Sequence, residues 1–391
     1  MIDLAIVGAG PIGLETAILA KRAGLSYVVL EKGSVVNAIR GYPTYMTFFT
    51  TSERLEIGGH PLVTLSEKPT RKEALDYYRK VVHNEDLDVR QYTEVVAIRP
   101  CSYGFEVSFR ETSPGAAPDT DRLLARKVAV ATGYYDHPKL LDVPGEDLPH
   151  VSHYYSEAHP FFRRNVMIVG AGSSAADAAL DLYRAGARVT MLHRGGDFRH
   201  SLKYWVRPNL ENRIKEGSIA LHLNTRVSRI TPEAVVAERA TEAASQPASE
   251  TASETASETA SETASGPVAE TGPVPGTGQG AAMATGTVAG NDSAKKDSEE
   301  LVIPSDQVFL LTGYYAPPTL LSGAGVAHDP ETLACELNRD TFESNVAGLY
   351  LVGSAGFGMR TSDVFIENGL EHVCSAMRDI VEKLRRVPMR G

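Results

Sequence analysis

Cysteine is scarce in this chain of 391 residues, which has only Cys101, Cys335 and Cys374. Three cysteines with no Cys-x-x-Cys pair exclude a disulfide framework and fit a reducing compartment. The sequence also lacks any apolar run of the ~18 residues that a membrane span requires. Its N-terminus leads directly into an apolar, strand-like run, which is not the pattern of a signal peptide. We therefore expect a cytoplasmic protein that does not enter a membrane.

Basic residues are outnumbered, with 39 Lys and Arg against 49 Asp and Glu and a formal net charge of −10. An acidic chain is not expected to bind nucleic acid non-specifically. Hydrophobic residues make up 42% of the chain and charged residues 23%, which is an ordinary balance for a globular protein. The length allows two or three domains.

One long stretch has no large apolar side chains. From Thr241 to Glu300 there is no Phe, Tyr, Trp, Leu or Ile, and residues 248–263 repeat Ala-Ser-Glu-Thr four times. Such a segment buries too little surface to offset the entropy lost on ordering. We predict a disordered insertion between two strands, with a docking tail as the alternative. The remaining roughly 330 residues suffice for two α/β domains.

A complete dinucleotide-binding pattern opens the chain. The apolar run Leu4–Val7 leads into Gly8, Gly10 and Gly13 of a Gly-x-Gly-x-x-Gly turn, and a helical stretch follows. A second strand then ends at Glu31, where a carboxylate can accept hydrogen bonds from a ribose diol. The glycines permit a tight turn, close approach of a pyrophosphate and close packing of helix on strand. The sequence thus predicts a dinucleotide site, and an acidic site at the N-terminus is typical of FAD.

The same pattern recurs in the middle of the chain. Strand Val166–Val169 precedes a second turn, Gly170–Ala175, and the strand after the next helix ends at Leu192. In place of the acid this copy has His193-Arg194, with Arg199 shortly after. Guanidinium groups pair with a 2′-phosphate, which a carboxylate would repel, so this site is predicted to bind NADPH. The alternative is that both arginines are solvated surface charges.

The order of the patterns predicts the domain organisation. Strand-to-turn segments at Val128–Gly133, Phe309–Gly313 and Gly348–Gly353 resemble the ends of nucleotide-binding units. A helical stretch, Val364–Leu384, follows and is interrupted by Gly369. We predict an α/β protein with two Rossmann-like domains, the NADPH domain being inserted into the FAD domain. The predicted boundaries are 1–150 and 314–391 for the FAD domain and 151–313 for the NADPH domain.

Several strings of residues are more specific than the glycine turns. The strings Glu31–Asn37, Tyr42–Thr44, Thr47–Thr50, Ser52–Gly58 and Phe365–Gly369 closely resemble the YpdA-type bacillithiol disulfide reductases, which belong to the thioredoxin-reductase-like flavoproteins. The resemblance covers nearly everything outside the insertion. It implies FAD and NADPH as cofactors, a homodimer, and a small-molecule thiol disulfide or a redox carrier protein as the electron acceptor.

The chain departs from that family at one position. The family commonly has a cysteine where this sequence has Ile12, and no cysteine occurs in Val151–Asn165, where thioredoxin reductases carry their dithiol. Flavin disulfide reductases usually pass electrons through a protein thiolate. We therefore assign no catalytic residue and expect the reduced flavin to act directly on its acceptor.

Two other enzyme classes and one binding protein stay open. A thioredoxin-reductase-like ferredoxin or flavodoxin–NADP reductase needs no cysteine. A flavin-dependent monooxygenase draws loose support from the histidine-bearing segment His150–Tyr155. A sensor that binds nucleotides without turnover is disfavoured, because the two turns suit different cofactors.

The predicted site residues come from both turns and from the strings that resemble the family. In the FAD site, Thr47 and Phe48 are predicted to lie against the isoalloxazine, although Phe48 also suits a simple core position, and Ile366 is predicted to begin a helix whose dipole faces the flavin. The predicted FAD-site residues are Gly8, Gly10, Pro11, Ile12, Gly13, Glu31, Lys32, Thr47, Phe48, Thr132, Gly133, Gly353 and Ile366. The predicted NADPH-site residues are Gly170, Gly172, Ser173, Ser174, Ala175, His193, Arg194 and Arg199. No metal site is predicted.

Overall fold

The computed structural model describes residues 1–117, 119–199, 202–240 and 298–386. The predicted disordered insertion lies outside the described residues up to position 297. Its predicted end at Glu300 is wrong, because residues 298–300 begin the strand Ser298–Pro304. These polar residues form a strand because they pair with a neighbouring strand through backbone hydrogen bonds, which need no apolar side chains.

Strands and helices alternate along most of the chain. In chain order the elements are β1 (Ile2–Val7), α1 (Pro11–Arg22), β2 (Tyr27–Leu30), α2 (Asn37–Arg40), α3 (Arg71–Asn84), β3 (Val89–Arg90), β4 (Thr93–Cys101), β5 (Gly104–Glu111), β6 (Thr120–Val130), β7 (Val151–Ser152), β8 (Asn165–Val169), α4 (Ser173–Arg184), β9 (Arg188–Leu192), α5 (Arg207–Lys215), β10 (Ile219–His222), β11 (Thr225–Ile230), β12 (Ala234–Ala240), β13 (Ser298–Pro304), β14 (Gln307–Leu310), α6 (Thr319–Gly323), β15 (Leu349–Leu351) and α7 (Ile366–Arg386).

The first sheet contains the first and the last strand of the described chain. Its strands run in the order β3-β2-β1-β6-β5-β4, and β15 pairs with the carboxyl end of β6. Strands β3, β2, β1, β6 and β15 are parallel, whereas β4 and β5 form an antiparallel extension. Leu4 and Ile6 of β1 are fully buried, as expected for a strand covered on both faces.

The second sheet is wholly parallel, in the order β10-β9-β8-β14-β7. Its α4 places a run of alanines against the strands, which lets helix and sheet pack closely. Strands β11, β12 and β13 form a separate antiparallel sheet. In both sheets the central strands are parallel, so their carboxyl ends lie at one edge of the sheet. Open α/β sheets bind ligands at that edge.

The C-terminal helix corrects one detail of the sequence prediction. Gly369 does not interrupt α7, which runs unbroken from Ile366 to Arg386. A Cβ added at Gly369 would lie 2.8 Å from Cδ1 of Ile12, so the glycine serves close packing of α7 on α1. No helix in the described part of the chain is long and apolar enough to cross a membrane.

Candidate active site

A single large cleft joins the two glycine turns. It extends from the turn after β1 to the turn after β8 and has a volume of about 2400 Å³. Small-molecule sites usually measure ~300–1,000 Å³, so the cleft has room for more than one ligand. With the exception of Gly13 and Ala175, which are buried behind the glycine turns, the predicted site residues line it.

The first glycine turn leaves space where a pyrophosphate would lie. Gly8 has a φ of +104°, and a Cβ there would lie 2.7 Å from the carbonyl oxygen of Ala131. A Cβ at Gly13 would lie 1.9 Å from the carbonyl oxygen of Gly8. By contrast, a Cβ at Gly10 would meet no protein atom within 4 Å. Gly8 and Gly13 are therefore required by the packing of the protein, whereas Gly10 keeps the cleft open, which fits a bound dinucleotide.

Glu31 is held at the end of β2 by two backbone hydrogen bonds. Its carboxylate accepts from the N–H of Ala9 at 2.7 Å and from the N–H of Gly33 at 2.8 Å. Burial raises the pKa of Glu31, and the two backbone donors oppose that rise. The carboxylate lines the cleft with further lone pairs available, so it suits a ribose diol.

Five further residues predicted for the FAD site come from four separate segments of the chain. Thr47, Thr132, Gly133, Gly353 and Ile366 all line the cleft. Because Ile366 begins α7, its helix N-terminus lies at the cleft, where the helix dipole favours an anionic ligand group.

Phe48 and Ile12 have packing roles beside the cleft. Phe48 belongs to the buried core and is only 5% exposed, so the core interpretation holds for most of its surface. Ile12 lies beside Gly353, where a Cβ would be 3.2 Å from its Cγ1, as well as beside Gly369. Ile12 thus makes apolar contacts that join α1 to α7.

The second glycine turn repeats the geometry of the first. Gly170 has a φ of +142°, and a Cβ there would lie 2.4 Å from the carbonyl oxygen of Leu311. Helix α4 begins at Ser173, and Gly172 before it supplies no side-chain cap to the first N–H groups. Free N–H groups at a helix N-terminus are a site for phosphate. Ser174 also lines the cleft, and Ala175 is fully buried behind it.

Basic side chains gather beside this second turn. His193, Arg194 and Arg199 line the cleft, and within the described ranges neither arginine has a carboxylate partner. Burial lowers the pKa of His193, and the two arginines lower it further. The arrangement suits an anion such as a 2′-phosphate.

Sequence reasoning missed a cluster of tyrosines at the junction of the sheets. The rings of Tyr135 and Tyr314 lie 4.9 Å apart, and Tyr42 and Tyr154 contact Tyr135 at 4.9 and 5.3 Å. A signal was present, since Thr-Gly-Tyr-Tyr occurs at residues 132–135 and again at 312–315. The repeat marks the two segments where the chain passes from one sheet to the other.

Sequence reasoning also missed a group of cation–π contacts around Trp205, which lines the cleft. Trp205, the only tryptophan in the sequence, lies under Lys68 at 5.2 Å and under Lys203 at 5.9 Å. Lys203 also lies 5.4 Å from the ring of Phe49. These cation–π contacts hold the segment after β9 against the segment before α3.

None of the three cysteines lines the cleft. Cys101 is exposed at the end of β4, and Cys374 is exposed on α7. Cys335 is buried, and burial raises the pKa of its thiol to about 11. A thiol with a raised pKa is a poor nucleophile at neutral pH. All three thiols therefore lie away from the cleft.

Comparisons with known proteins match the chain along most of its length. A family model described as pyridine nucleotide-disulphide oxidoreductase matches residues 5–253. The chain is 35% identical to the bacilliredoxin reductase Bdr of Bacillus subtilis over 367 residues, which cover 94% of each protein.

Two solved structures are similar to this chain over almost its whole length. The bacillithiol disulfide reductase Bdr (YpdA) from Bacillus cereus is similar with a TM-score of 0.80 and 32% identity, covering 98% of this chain and 99% of that one. The corresponding protein from Staphylococcus aureus has a TM-score of 0.77 and 31% identity, with the same coverage. The likeness therefore extends to both parallel sheets and the cleft between them.

Proposed function

We propose, from the premise that this chain belongs to the pyridine nucleotide-disulphide oxidoreductase family, that it reduces the disulfide of a low-molecular-weight thiol. The family resemblance and the α/β fold class predicted from the sequence are confirmed. So is the prediction of an oxidoreductase that uses FAD and NADPH. The acceptor we propose is bacillithiol disulfide, the substrate in the names of relatives that match nearly the whole chain.

The observation that carries this proposal is the pair of glycine turns at one cleft. When bound, FAD would accept a hydride from NADPH and pass two electrons to the acceptor. The balanced reaction converts NADPH, one proton and one disulfide into NADP⁺ and two thiols. The protein positions the two dinucleotides. Glu31 holds the ribose at the first site, and Arg194 and Arg199 hold the 2′-phosphate at the second.

The proposed organisation follows the chain through the sheets. Residues 1–150 and 314–391 form the FAD domain and residues 151–313 the NADPH domain. Support comes from β15, which returns to pair with β6 after the chain has formed the second sheet. The scarcity of cysteine supports a cytoplasmic enzyme, and we propose that it acts as a homodimer on a small molecule rather than a carrier protein.

The test is to follow NADPH oxidation by the purified holoenzyme with a panel of acceptors. We expect bacillithiol disulfide to be reduced with two thiols released per NADPH, and ferredoxin, flavodoxin and oxygen to be poor acceptors. Rapid reduction of ferredoxin or flavodoxin alone would contradict the proposal and indicate a carrier reductase. Stoichiometric insertion of oxygen into an organic substrate would indicate a monooxygenase.

We also expect turnover to survive removal of every cysteine. A variant with Cys101→Ser, Cys335→Ala and Cys374→Ser should keep kcat for the disulfide within about twofold, since no thiol lines the cleft. Alkylation of the wild-type protein with iodoacetamide should likewise leave the rate unchanged. A loss of ~100-fold in a variant that retains flavin and melts normally would show that a cysteine relays electrons.

A further inference from the structure

Lys139 lies on the first of the two segments that cross from sheet to sheet and is hydrogen-bonded to the second. Its backbone N–H donates to the carbonyl of Gly313 at 2.9 Å, and its carbonyl accepts from the Thr312 hydroxyl at 2.6 Å. Its side chain is partly buried and lines the cleft. Because both the N–H and the carbonyl of Lys139 are hydrogen-bonded, its side chain starts from a fixed position.

The amino group of Lys139 lacks an anionic partner in the protein as described. Among the described residues, its Nζ donates one long hydrogen bond, to the carbonyl oxygen of Met359 at 3.4 Å. Burial lowers the pKa of Lys139, and Arg199 and Arg194 lower it further. Lys139, Arg194 and Arg199 all line the cleft, and both arginines are close enough to act on the charge of the Lys139 amino group. Like charges near one another repel, and an anion that binds among them relieves that repulsion.

The strand order shows which part of a dinucleotide Lys139 would meet. Strand β8, which carries the glycine turn, lies between β9 and β14. Arg194 follows the end of β9 on one side, and Gly313, which binds Lys139, follows the end of β14 on the other. Neighbouring strands are ~4.8 Å apart, so these two positions flank the turn at roughly 10 Å separation. In a dinucleotide-binding fold the adenosine ribose lies at the β9 side and the pyrophosphate over the turn.

We infer that Lys139 binds the pyrophosphate of the nicotinamide nucleotide, while Arg194 and Arg199 bind the 2′-phosphate. This assignment rests on the proposed function for the identity of the nucleotide. Lys139 then contributes affinity that NADPH and NADH share, and the arginines contribute the preference between them. The site has two phosphate-recognition points on opposite sides of one glycine turn.

The experiment measures binding to the oxidised holoenzyme by calorimetry, with NADP⁺, NAD⁺ and 2′-AMP as probes. Lys139→Gln should weaken NADP⁺ and NAD⁺ by a similar factor, about tenfold, and leave 2′-AMP unchanged, because 2′-AMP carries no pyrophosphate. Arg194→Gln should weaken NADP⁺ and 2′-AMP and leave NAD⁺ unchanged. Lys139→Arg, which keeps the charge, should retain most of the affinity. Lys215→Gln on α5, where the side chain lies outside the cleft, is the matched control.

Two results would overturn the assignment. Unchanged binding of NADP⁺ and NAD⁺ in the Lys139→Gln variant would exclude a phosphate contact. Weaker binding of NADP⁺ and 2′-AMP alone would place Lys139 at the 2′-phosphate. The flavin spectrum and melting temperature of each variant report whether it is folded, and if Lys139→Gln fails to fold, full affinity in a folded Lys139→Ala variant would equally overturn the assignment. Because no acceptor is present, the result is independent of the disulfide reductase proposal, which would fail instead if the wild type reduced no disulfide.

Discussion

Replacing Gly10 with alanine should give a folded protein that no longer retains its flavin. A Cβ at this position meets no protein atom within 4 Å, and the residue has φ −71° and ψ 175°, which alanine readily adopts. The methyl group would instead occupy the space that the first turn leaves for a pyrophosphate. We expect the ratio of FAD to protein, measured from visible absorbance after purification, to fall at least about tenfold.

Two other glycines provide the controls for that variant. Gly13→Ala should damage the fold itself, because its Cβ would lie 1.9 Å from the backbone oxygen of Gly8, and overpacking of this kind costs at least ~1–3 kcal/mol. Gly323→Ala, at a helical position with open space around it, should change neither flavin content nor melting temperature. Wild-type flavin content in Gly10→Ala would show that the cofactor does not approach this turn.

Replacing Arg194 with glutamine should convert a strong preference for NADPH into a weak one. A hydrogen-bonded charge pair with a phosphate contributes ~1.5–3 kcal/mol, which corresponds to roughly 10- to 150-fold in affinity. We expect the apparent dissociation constant for NADPH to rise by about that factor and the constant for NADH to change less than about threefold. Anaerobic stopped-flow measurement of flavin reduction gives both constants without an electron acceptor.

Arg229→Gln is the matched control for the change of charge. Arg229 is exposed on β11 and does not line the cleft, so its loss alters net charge alone. Equal losses for NADPH and NADH in the Arg194 variant would refute its assignment to the 2′-phosphate. A similar loss in the Arg229 variant would attribute the effect to long-range electrostatics rather than to a contact.

Local patterns predicted the elements that carry the site. The strand Tyr27–Leu30, the strand Arg188–Leu192 and the helix that ends at Arg184 lie where the periodicity and the glycines place them. Glycine turns are predictable because their spacing is set by contacts within one βαβ unit of ~30 residues. Polar side chains are a weaker guide to strand positions, and residues 298–300 were therefore wrongly assigned to the insertion.

Local sequence patterns could not predict contacts between segments that are far apart in the chain. Lys139 binds Gly313 across more than 170 positions of sequence, and its neighbours in the chain give no sign of this partner. The interruption predicted at Gly369 was wrong for the same reason, since the glycine packs against Ile12 at the other end of the chain. Local propensity disfavours glycine in a helix, and tertiary packing overrides it here.

The sequence by itself determined the chemistry available to this protein: two dinucleotide turns, an acid after one, arginines after the other, and no thiol beside either. These features depend on residue type and short spacing, which a single chain displays directly. Only the tertiary structure decided that both turns open into one cleft, that the cysteines lie away from it, and that Lys139 joins the cations at the second turn. Those facts depend on how parallel strands far apart in the sequence are ordered in the sheets, and pairing between strands is set by packing of the whole fold.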